Sequence, residues 1–301
     1  MSRLSPVMAI HPSYRSVSMQ LNLTPLTPAF GAEVQGLNLS QPQSDDTMAT
    51  LKAALNEHSI LVLRDQPLSA QRHVELSKTF GPLMIHVLKQ FLTTDHPEIY
   101  VLSNVAENGK PIGNHKEGWN WHSDLSYVEE PSMGSLLHAI EVPPEGGDTL
   151  FASMHAAFEA LPKAIKDKIR SLKAVHSYTG YYEKAFADRE PLSAEQRAKT
   201  PDVVHPLVRI HPETHRPSLY VGQDIVKEIV GLPAEESRSL IDELNRHAIS
   251  DAFVYRHKWQ AHDLVIWDNR CTMHCATPYD DQRYRRVMHR TTVEGDRPFG
   301  A

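Results

Sequence analysis

The stretch Leu264-Val-Ile-Trp-Asp-Asn-Arg-Cys-Thr-Met-His274 joins a strand signal to a candidate metal ligand. Its first four residues are apolar and either branched or aromatic, which is typical of a short strand buried in a core. The Trp-Asp-Asn-Arg sequence then leads to His274, and imidazole is the commonest metal-binding side chain. We therefore predict a strand over 264–267 with a metal-binding histidine beyond its end.

Short apolar runs of the same kind recur along most of the chain, and turn residues separate one run from the next. This pattern favours an antiparallel β core. Four amphipathic segments predict helices packed around that core. We expect a mainly β fold with flanking helices, a jelly roll, with strands over 59–64, 99–102, 135–142, 149–152, 203–209, 218–221, 264–267 and 286–293 and helices over 47–58, 69–80, 153–172 and 233–249.

The bulk composition narrows the class of protein. Of the 301 residues, 41% are hydrophobic and 23% are charged, and no stretch reaches the roughly 18 uninterrupted apolar residues that a membrane span needs. The formal charge of -6, with no long basic run, disfavours nucleic acid as a partner. No repeat or low-complexity tract interrupts the chain, so we predict one domain over 23–301 after a flexible lead-in over 1–22.

The N-terminal segment and the cysteines indicate the compartment. Pro6, His11 and Pro12 interrupt the apolar stretch that a signal peptide would need. The two cysteines, Cys271 and Cys275, are too few for a disulfide framework, and we interpret both as packing residues. We expect a protein of the reducing cytoplasm that interacts with small molecules and not with membranes.

A His-x-Asp pair in Trp119-Asn-Trp-His-Ser-Asp-Leu-Ser-Tyr127 offers two further metal ligands. On a strand, His122 and Asp124 would project from the same face, because side chains alternate with a period of two. His274 would complete the set. Two imidazoles and one carboxylate on one side of an octahedron leave three positions open, which is the arrangement that suits non-haem Fe(II) oxygen chemistry.

Four His-x-Glu pairs have the same spacing as this His-x-Asp pair. One of them falls inside a helical pattern, where residues two apart point in different directions, and prolines interrupt the strands of two more. The pair of His115 and Glu117 remains an alternative, although its Gly/Asn-rich surroundings predict a loop that lies over a site. In chain order the four pairs are His73 and Glu75, His96 and Glu98, His115 and Glu117, and His211 and Glu213.

Two arginines downstream of His274 indicate anionic ligands. Arg286 and Arg290 lie four residues apart on the last predicted strand, so both guanidinium groups can face the same cavity as the metal. Pairing with surface carboxylates such as Asp280 is the alternative for these arginines. A structural zinc on the two cysteines and His274 would lack a fourth ligand of the usual kind.

Several separate motifs, in one order, resemble the taurine dioxygenase and 2,4-dichlorophenoxyacetate dioxygenase family. The resemblance covers nearly the whole chain, from about Leu23 to Phe299. Two departures are Gly118, which occupies the place of a polar side chain in taurine-specific members, and the longer segment from Val105 to Trp119. The matching motifs are Trp121-His-Ser-Asp124, Gly146-Gly-Asp-Thr149 with Leu150-Phe151, Leu264-Val-Ile-Trp-Asp-Asn-Arg270, His274 and Arg286-Val-Met-His-Arg290.

The resemblance implies a double-stranded β-helix, a cupin-like jelly roll, with Fe(II) held by His122, Asp124 and His274. Thr149 and Arg286, matched position by position, would bind the distal carboxylate of 2-oxoglutarate, and O2 would be the second co-substrate. The implied reaction hydroxylates a small organic substrate, with cleavage where the hydroxylated carbon bears a heteroatom, and releases succinate and CO2. Related halogenases lack the carboxylate ligand, so Asp124 disfavours halogenation.

The substrate contacts that the resemblance implies centre on Arg290. This residue would lie near the iron and bind the acidic group of the substrate, 2-oxoglutarate, or both. His86 and Asn120 would line the same pocket, and Tyr127 would form an apolar wall. These residues predict an anionic substrate, with an amino-acid-like or neutral metabolite as the alternative.

Two other functional classes compete with this interpretation. A non-catalytic sensor of 2-oxoglutarate or metal could use the same fold, but it would not need an intact, open metal face. A zinc hydrolase could use the same three ligands, but no general base is obvious beside them. Related proteins commonly form dimers or tetramers, so a homo-oligomer is also expected.

Overall fold

The structure is a computed structural model that describes residues 21–115, 118–185 and 190–300. The lead-in predicted over 1–22 lies outside the described residues except for its last two positions. The strands are β1 (Asn22–Pro25), β2 (Ala32–Gln35), β3 (Ile60–Leu63), β4 (Tyr100–Ser103), β5 (Ala106–Glu107), β6 (Lys110–Pro111), β7 (Gly134–Glu141), β8 (Thr149–Ser153), β9 (Lys173–His176), β10 (Val203–Pro206), β11 (Val208–Ile210), β12 (Pro217–Leu219), β13 (Val226–Ile229), β14 (Val254–His257), β15 (Leu264–Asp268), β16 (Thr272–Ala276) and β17 (Val287–Val293). The helices are α1 (Asp45–His58), α2 (Ala70–Lys78), α3 (Met154–Ala160), α4 (Lys163–Ile169), α5 (Tyr178–Ala185), α6 (Ala194–Lys199) and α7 (Ala234–Ala248).

The largest sheet has seven strands in the order β1-β2-β3-β15-β7-β17-β4. Its neighbouring strands run antiparallel, except that β2 and β3 are parallel. The strand predicted over 264–267 is confirmed as β15 and lies at the middle of this sheet, where Val265 pairs with Val62 of β3 and Leu137 of β7. Its central position explains the unbroken apolar run, because both of its faces are covered.

Helix α1 covers the outer face of the large sheet. Leu51 of α1 belongs to the same buried cluster as Leu61 of β3 and Leu264 of β15. In contrast, Val62 and Val265 belong to a second cluster on the other face of these two strands. Since side chains alternate along a strand, each of the central strands contributes to two separate cores.

A three-stranded sheet, β14-β8-β16, packs against that second face. Phe151 of β8 and Trp267 of β15 meet between the two sheets, with ring centroids 5.5 Å apart. His274 lies on β16, and its ring is 4.8 Å from that of Trp267. The sequence pattern does not predict β16, whose Thr-Met-His-Cys-Ala run is poor in branched and aromatic residues. His274 thus points into the space between the two sheets. The predicted antiparallel β core with helices outside it is confirmed.

Two predicted elements are wrong in their extent, and proline causes both breaks. The helix predicted over 153–172 is two helices, α3 and α4, because Pro162 lacks an amide hydrogen and disfavours helical backbone at the residue before it. Leu161, with a ψ angle of 144°, ends α3 accordingly. The strand predicted over 203–209 is likewise two strands, since Pro206 is the last residue of β10.

The sequence pattern also does not predict two of the helices, α5 and α6.

Helix α7 confirms the amphipathic segment predicted over 233–249. Its buried face includes Leu240 and Leu244, which pack in one cluster with Phe158 of α3 and Leu219 of β12. None of the described helices is long and apolar enough to cross a membrane.

A buried ionic network lies at the end of β15. Arg270 donates from Nε to Oδ1 of Asp268 at 2.9 Å and from Nη2 to Oδ2 at 2.6 Å, and Nε2 of His211 lies 3.0 Å from the same Oδ2. Nδ1 of His211 accepts from the amide of Thr214. Asp268, His211 and Cys271 are close enough to hold a metal ion. Because Arg270 neutralises the carboxylate and both ring nitrogens of His211 have partners, we interpret this network as structural.

Replacing Asp268 by alanine is expected to lower the free energy of unfolding by about 3–5 kcal/mol, since Arg270 would be left buried without its main partner. The control is Glu141→Ala, which removes an ion pair with Arg285 that is largely exposed and should cost less than about 1 kcal/mol. Urea denaturation of both variants measures the two losses. A loss in Asp268→Ala no larger than that of the control contradicts the structural role of the network.

Candidate metal centre and active site

His122 and His274 lie opposite each other on adjacent extended segments. The amide of His274 donates to the carbonyl oxygen of His122 at 2.8 Å, and the amide of His122 donates back to that of His274 at 3.1 Å. The centroids of the two rings are 4.2 Å apart. A pair of backbone hydrogen bonds therefore holds both imidazoles side by side, although the two residues are far apart in sequence.

Asp124 completes this group from a turn. The expectation that His122 and Asp124 share the face of a strand is wrong, because the chain turns at Asp124 and Leu125 has a left-handed backbone with φ of 57°. The carboxylate still meets both rings, since its Oδ1 lies 3.7 Å from Nε2 of His122 and 3.8 Å from Nε2 of His274. One ligand atom from each residue lies within 4.8 Å of the others. Over 21–115, 118–185 and 190–300, no fourth His, Cys, Asp or Glu joins them.

Hydrogen bonds direct the ligand atoms toward one point. Nδ1 of His122 lies 2.7 Å from the backbone oxygen of Asn120, which keeps the ring proton on Nδ1 and leaves Nε2 for a metal. Ser135 donates to Oδ2 of Asp124 at 2.7 Å, and Arg290 donates from Nη1 to Oδ1 at 3.2 Å. The side chains that surround the three candidate ligands thus determine which of their atoms face one another.

The local charges determine the protonation of this group. Burial opposes ionisation of Asp124, but Arg290 and the two histidines outweigh burial and hold the pKa of the carboxyl well below its usual range. Burial and the neighbouring His122 lower the pKa of His274 to about 3. Burial also disfavours the charged form of His122, yet Asp124 outweighs it and raises the pKa of this ring. A carboxylate and a neutral imidazole are the forms that bind a metal ion.

A cavity of about 700 Å³, which includes its opening to solvent, lies beside these residues. The candidate ligands His122 and His274 line it. Arg286 and Arg290 line it as well, as their spacing of four residues predicts, and so does Thr149. Further walls come from Leu102, Asn114, Trp119, Leu137, Trp267 and Tyr279.

Arg286 faces this cavity without a salt bridge of its own, since the nearby carboxylate of Asp148 pairs with Arg256 at 2.9 Å. Within the described part of the chain its guanidinium forms no ion pair, and its Nε is buried with no hydrogen-bond partner. Burial lowers the pKa of Arg286 to about 10. Gly147, with φ of 65°, lies against this side chain, and a Cβ at that position would be 3.4 Å from Cδ and Nε of the arginine. A desolvated cation that the protein does not neutralise is suited to bind an anionic ligand.

Thr149 lines the same cavity. Its Oγ1 accepts a hydrogen bond of 3.0 Å from Nε1 of the buried Trp259. Because the indole is a donor only, the hydroxyl hydrogen of Thr149 remains available to an acceptor in the cavity.

His86 and Arg290 are linked through Tyr100. The ring of His86 stacks on that of Tyr100 at a centroid distance of 4.0 Å. The guanidinium carbon of Arg290 lies 5.2 Å from the centroid of the same tyrosine ring. His86 therefore supports the position of Arg290 indirectly and is not among the described residues that line the cavity.

Two other predicted substrate contacts also lie away from the described lining. Tyr127 packs against Tyr178, with ring centroids 4.8 Å apart. The backbone oxygen of Asn120 accepts a hydrogen bond from Nδ1 of His122, and its side-chain amide donates to Asp224 at 3.3 Å. Asn120 thus orients a candidate metal ligand.

His115, from the alternative pair of metal ligands His115 and Glu117, is not part of the group formed by His122, Asp124 and His274. His115 lies in a loop that lines the cavity, as predicted, and its Nε2 is 3.2 Å from Oδ2 of Asp281. Glu117 lies outside the described residues.

The sequence analysis missed the residues that surround Asp124. Ser135 of β7 and Asn269 after β15 both donate to its carboxylate. Asn269 lies inside the stretch 264–274. A polar amide that directly follows a buried strand was the available signal. Asn114, which donates to the hydroxyl of Tyr100 at 2.8 Å, had no comparable signal in the sequence.

Fold and site together define a class of enzyme. Two imidazoles and a carboxylate converge between two antiparallel sheets, and an uncompensated arginine faces the cavity beside them. This combination is that of a metal-dependent dioxygenase that uses 2-oxoglutarate. Residues 22–292 match the family described as "Taurine catabolism dioxygenase TauD, TfdA family", and the chain belongs to this family.

Individual relatives agree with this assignment. The alpha-ketoglutarate-dependent 2,4-dichlorophenoxyacetate dioxygenase of Cupriavidus pinatubonensis is 35% identical over 92% of this chain and 99% of its own length. The (S)-phenoxypropionate/alpha-ketoglutarate-dioxygenase of Sphingobium herbicidovorans is 34% identical over 93% of this chain and 97% of its own. Among solved structures, AAD-2 in complex with Mn(II) and N-oxalylglycine has a TM-score of 0.78 and 33% identity, and covers 93% of this chain and 99% of that chain. The chain is accordingly a 2-oxoglutarate-dependent dioxygenase.

The lack of a salt bridge at Arg286 has a consequence for stability. Arg286→Met is expected to raise the free energy of unfolding of the metal-free protein by about 1–2 kcal/mol, since it removes a desolvated charge and keeps most of the apolar stem. Chemical denaturation without added metal or 2-oxoglutarate measures this change. A clear loss of stability in Arg286→Met would show that the guanidinium has a partner within the protein.

Proposed function

We propose that this dioxygenase uses Fe(II), bound by His122, Asp124 and His274, to hydroxylate a small organic anion. Thr149 and Arg286 bind the distal carboxylate of 2-oxoglutarate in this proposal. The observation that carries it is the cavity beside the three-ligand group, because two of the three ligands and an arginine without a salt bridge line it together.

The donor set supports iron as the metal. Two nitrogen ligands and one carboxylate oxygen leave half of an octahedron open, whereas a structural zinc site is closed by four ligands, usually with thiolates. When bound, Fe(II) supplies the activation of O2 that couples decarboxylation of 2-oxoglutarate to oxidation of a substrate C–H bond. The role of the surrounding residues is to bind and orient the two organic molecules and to exclude water.

Arg286 and Thr149 support a defined orientation of 2-oxoglutarate. The guanidinium offers two parallel N–H donors, which match a carboxylate better than a single ammonium group would. The hydroxyl of Thr149, held by Trp259, adds a third donor. With its distal carboxylate held there, the keto acid end of the molecule extends toward the metal ligands that line the same cavity.

The arrangement of the sheets supports a double-stranded β-helix. A seven-stranded, mostly antiparallel sheet and a three-stranded antiparallel sheet enclose one core, and His274 lies on the smaller sheet. The candidate site lies between the two sheets, as expected for a ligand site in a double-sheet jelly roll.

An anionic substrate is supported by a second cation in the cavity. Arg290 lines it beside the metal ligands, where its Nη1 donates to Asp124 and its guanidinium packs on the ring of Tyr100. Similar proteins carry names that specify organic anions, such as the sulfate ester dioxygenase of Pseudomonas putida, which is 29% identical over 94% of this chain. The apolar walls formed by Leu137, Trp119 and Trp267 suit the carbon skeleton of such a substrate.

The proposal predicts how 2-oxoglutarate binds. Anaerobic addition of 2-oxoglutarate to the Fe(II)-loaded protein should produce the weak visible charge-transfer band of a chelated keto acid, and His122→Ala should abolish it. Arg286→Met should raise the dissociation constant of 2-oxoglutarate at least about 30-fold, because a desolvated charge pair is lost. Thr149→Val should raise it about 5-fold to 10-fold.

Arg285→Met is the matched control for this titration. Arg285 is the sequence neighbour of Arg286, but it pairs with Glu141 at the surface, so its removal should leave the dissociation constant unchanged. Equal effects of the two arginine variants would refute the assignment of Arg286. Iron binding without any band would refute the assignment of the co-substrate site and favour the zinc hydrolase or the sensor.

The charge of the substrate is tested with matched acids and amides. We expect succinate release to be at least about tenfold faster, as kcat/KM, with an aryloxyacetic or alkanoic acid than with its primary amide, since the acid gains a charge-assisted contact with Arg290. In Arg290→Met, assayed at saturating iron, this preference should fall to near one. A preference that survives in the variant would mean that Arg290 serves the metal site or 2-oxoglutarate only.

A further inference from the structure

The two oxygens of the Asp124 carboxylate have different environments. Oδ1 faces the imidazoles, at 3.7 Å from Nε2 of His122 and 3.8 Å from Nε2 of His274, and its one donor among the described residues is Nη1 of Arg290 at 3.2 Å, from the cavity side. Oδ2 points the other way and accepts hydrogen bonds from the hydroxyl of Ser135 at 2.7 Å and the amide of Asn269 at 3.4 Å. The carboxylate is buried, so these donors are not in exchange with bulk water.

The orientation of the Asn269 amide follows from its neighbours. Its Oδ1 accepts from Nε1 of Trp267 at 2.9 Å and from the backbone amide of Asp124 at 3.3 Å. Both of these groups are donors only, so the opposite orientation would place an NH2 group against two N–H groups. Nδ2 of Asn269 therefore faces Asp124, Ser135 and Ser132, at 3.4, 3.3 and 3.1 Å respectively.

The direction of each hydrogen bond around Oδ2 is then determined. The hydroxyl of Ser135 accepts from Asn269, and its own hydrogen is donated to Asp124. The hydroxyl of Ser132 accepts from the same amide and donates to the backbone oxygen of Gly134 at 3.2 Å. Each donor of this buried network has an acceptor, which makes the arrangement rigid.

We propose that Ser135 and Asn269 are positioning residues: their hydrogen bonds hold Oδ2 of Asp124 away from the metal, so that the carboxylate binds the metal only through Oδ1. This inference rests on the proposed function of the His122, Asp124 and His274 group. A carboxylate that binds through both oxygens would occupy one of the three open positions of an octahedral metal. Binding through Oδ1 alone would keep all three open positions available to the co-substrates.

The test compares Ser135→Ala with Ser218→Ala in the full chain under anaerobic conditions, with Co(II) as the probe metal. Ser218 is also a fully buried serine whose hydroxyl donates to a backbone oxygen, but it does not contact Asp124. Ser135→Ala should raise the dissociation constant of Co(II), measured by competition with a chelator, about 10-fold to 100-fold. It should also change the visible spectrum of bound Co(II) and weaken the binding of 2-oxoglutarate, because the released Oδ2 competes for an open position.

A second variant removes the other donor to Oδ2 without adding a charge. Asn269→Leu has a similar volume and loses the Nδ2 donor, so it should weaken Co(II) binding at least as much as Ser135→Ala does. Ser218→Ala should remain within threefold of the wild type, with an unchanged Co(II) spectrum. If Ser135→Ala and Asn269→Leu both behave like Ser218→Ala, the role of Ser135 and Asn269 in holding Oδ2 is wrong although the metal site stands. If the wild type binds no Co(II), or His122→Ala binds it equally well, the proposed metal centre itself fails and this inference fails with it.

Discussion

The buried negative charge of Asp124 is the constraint on which the rest of the site depends. A carboxylate between two apolar sheets is strongly disfavoured unless charged or polar groups compensate it. Arg290 of β17 and Ser135 of β7 supply that compensation from two different strands, and Asn269, which directly follows β15, adds a third donor. The charge is therefore tolerated only while the strands keep their register, which couples the metal site to the fold as a whole.

Two arginines show how charge balance separates structure from function. Arg270 is buried beside Asp268 and Glu213, and its donors are matched by carboxylate oxygens within the protein. Arg286 faces the cavity with no such partner among the described residues, and burial lowers its pKa. Arg270 stabilises the end of β15. Arg286, in contrast, is a cation without a salt bridge, and an anionic co-substrate can pair with it.

Much of the candidate site could be predicted from the sequence, because several of its residues lie only two to four positions apart in the chain. Arg286 and Arg290 both reach the cavity, as their spacing predicts, although Arg286 directly precedes β17 and the register of that strand shifts between Val287 and Met288. The central strand β15 was predictable because burial of both faces leaves an unbroken apolar run. Asp124 was wrongly expected on a strand, since a turn at that position leaves no mark in the His-x-Asp spacing, and Pro162 broke a helix that amphipathic periodicity alone had extended.

The types of donor at the site are specified by the residues themselves: two imidazoles, one carboxylate and a pair of arginines that follow one of the histidines. The folded chain is needed to know which carboxylate oxygen faces the imidazoles, that Ser135 and Asn269 hold the other one, and that His86 acts through Tyr100. This difference follows from the range of the interactions involved. The period of a strand is a local property of the backbone, whereas contacts between distant strands depend on register and packing, which no short stretch of sequence specifies.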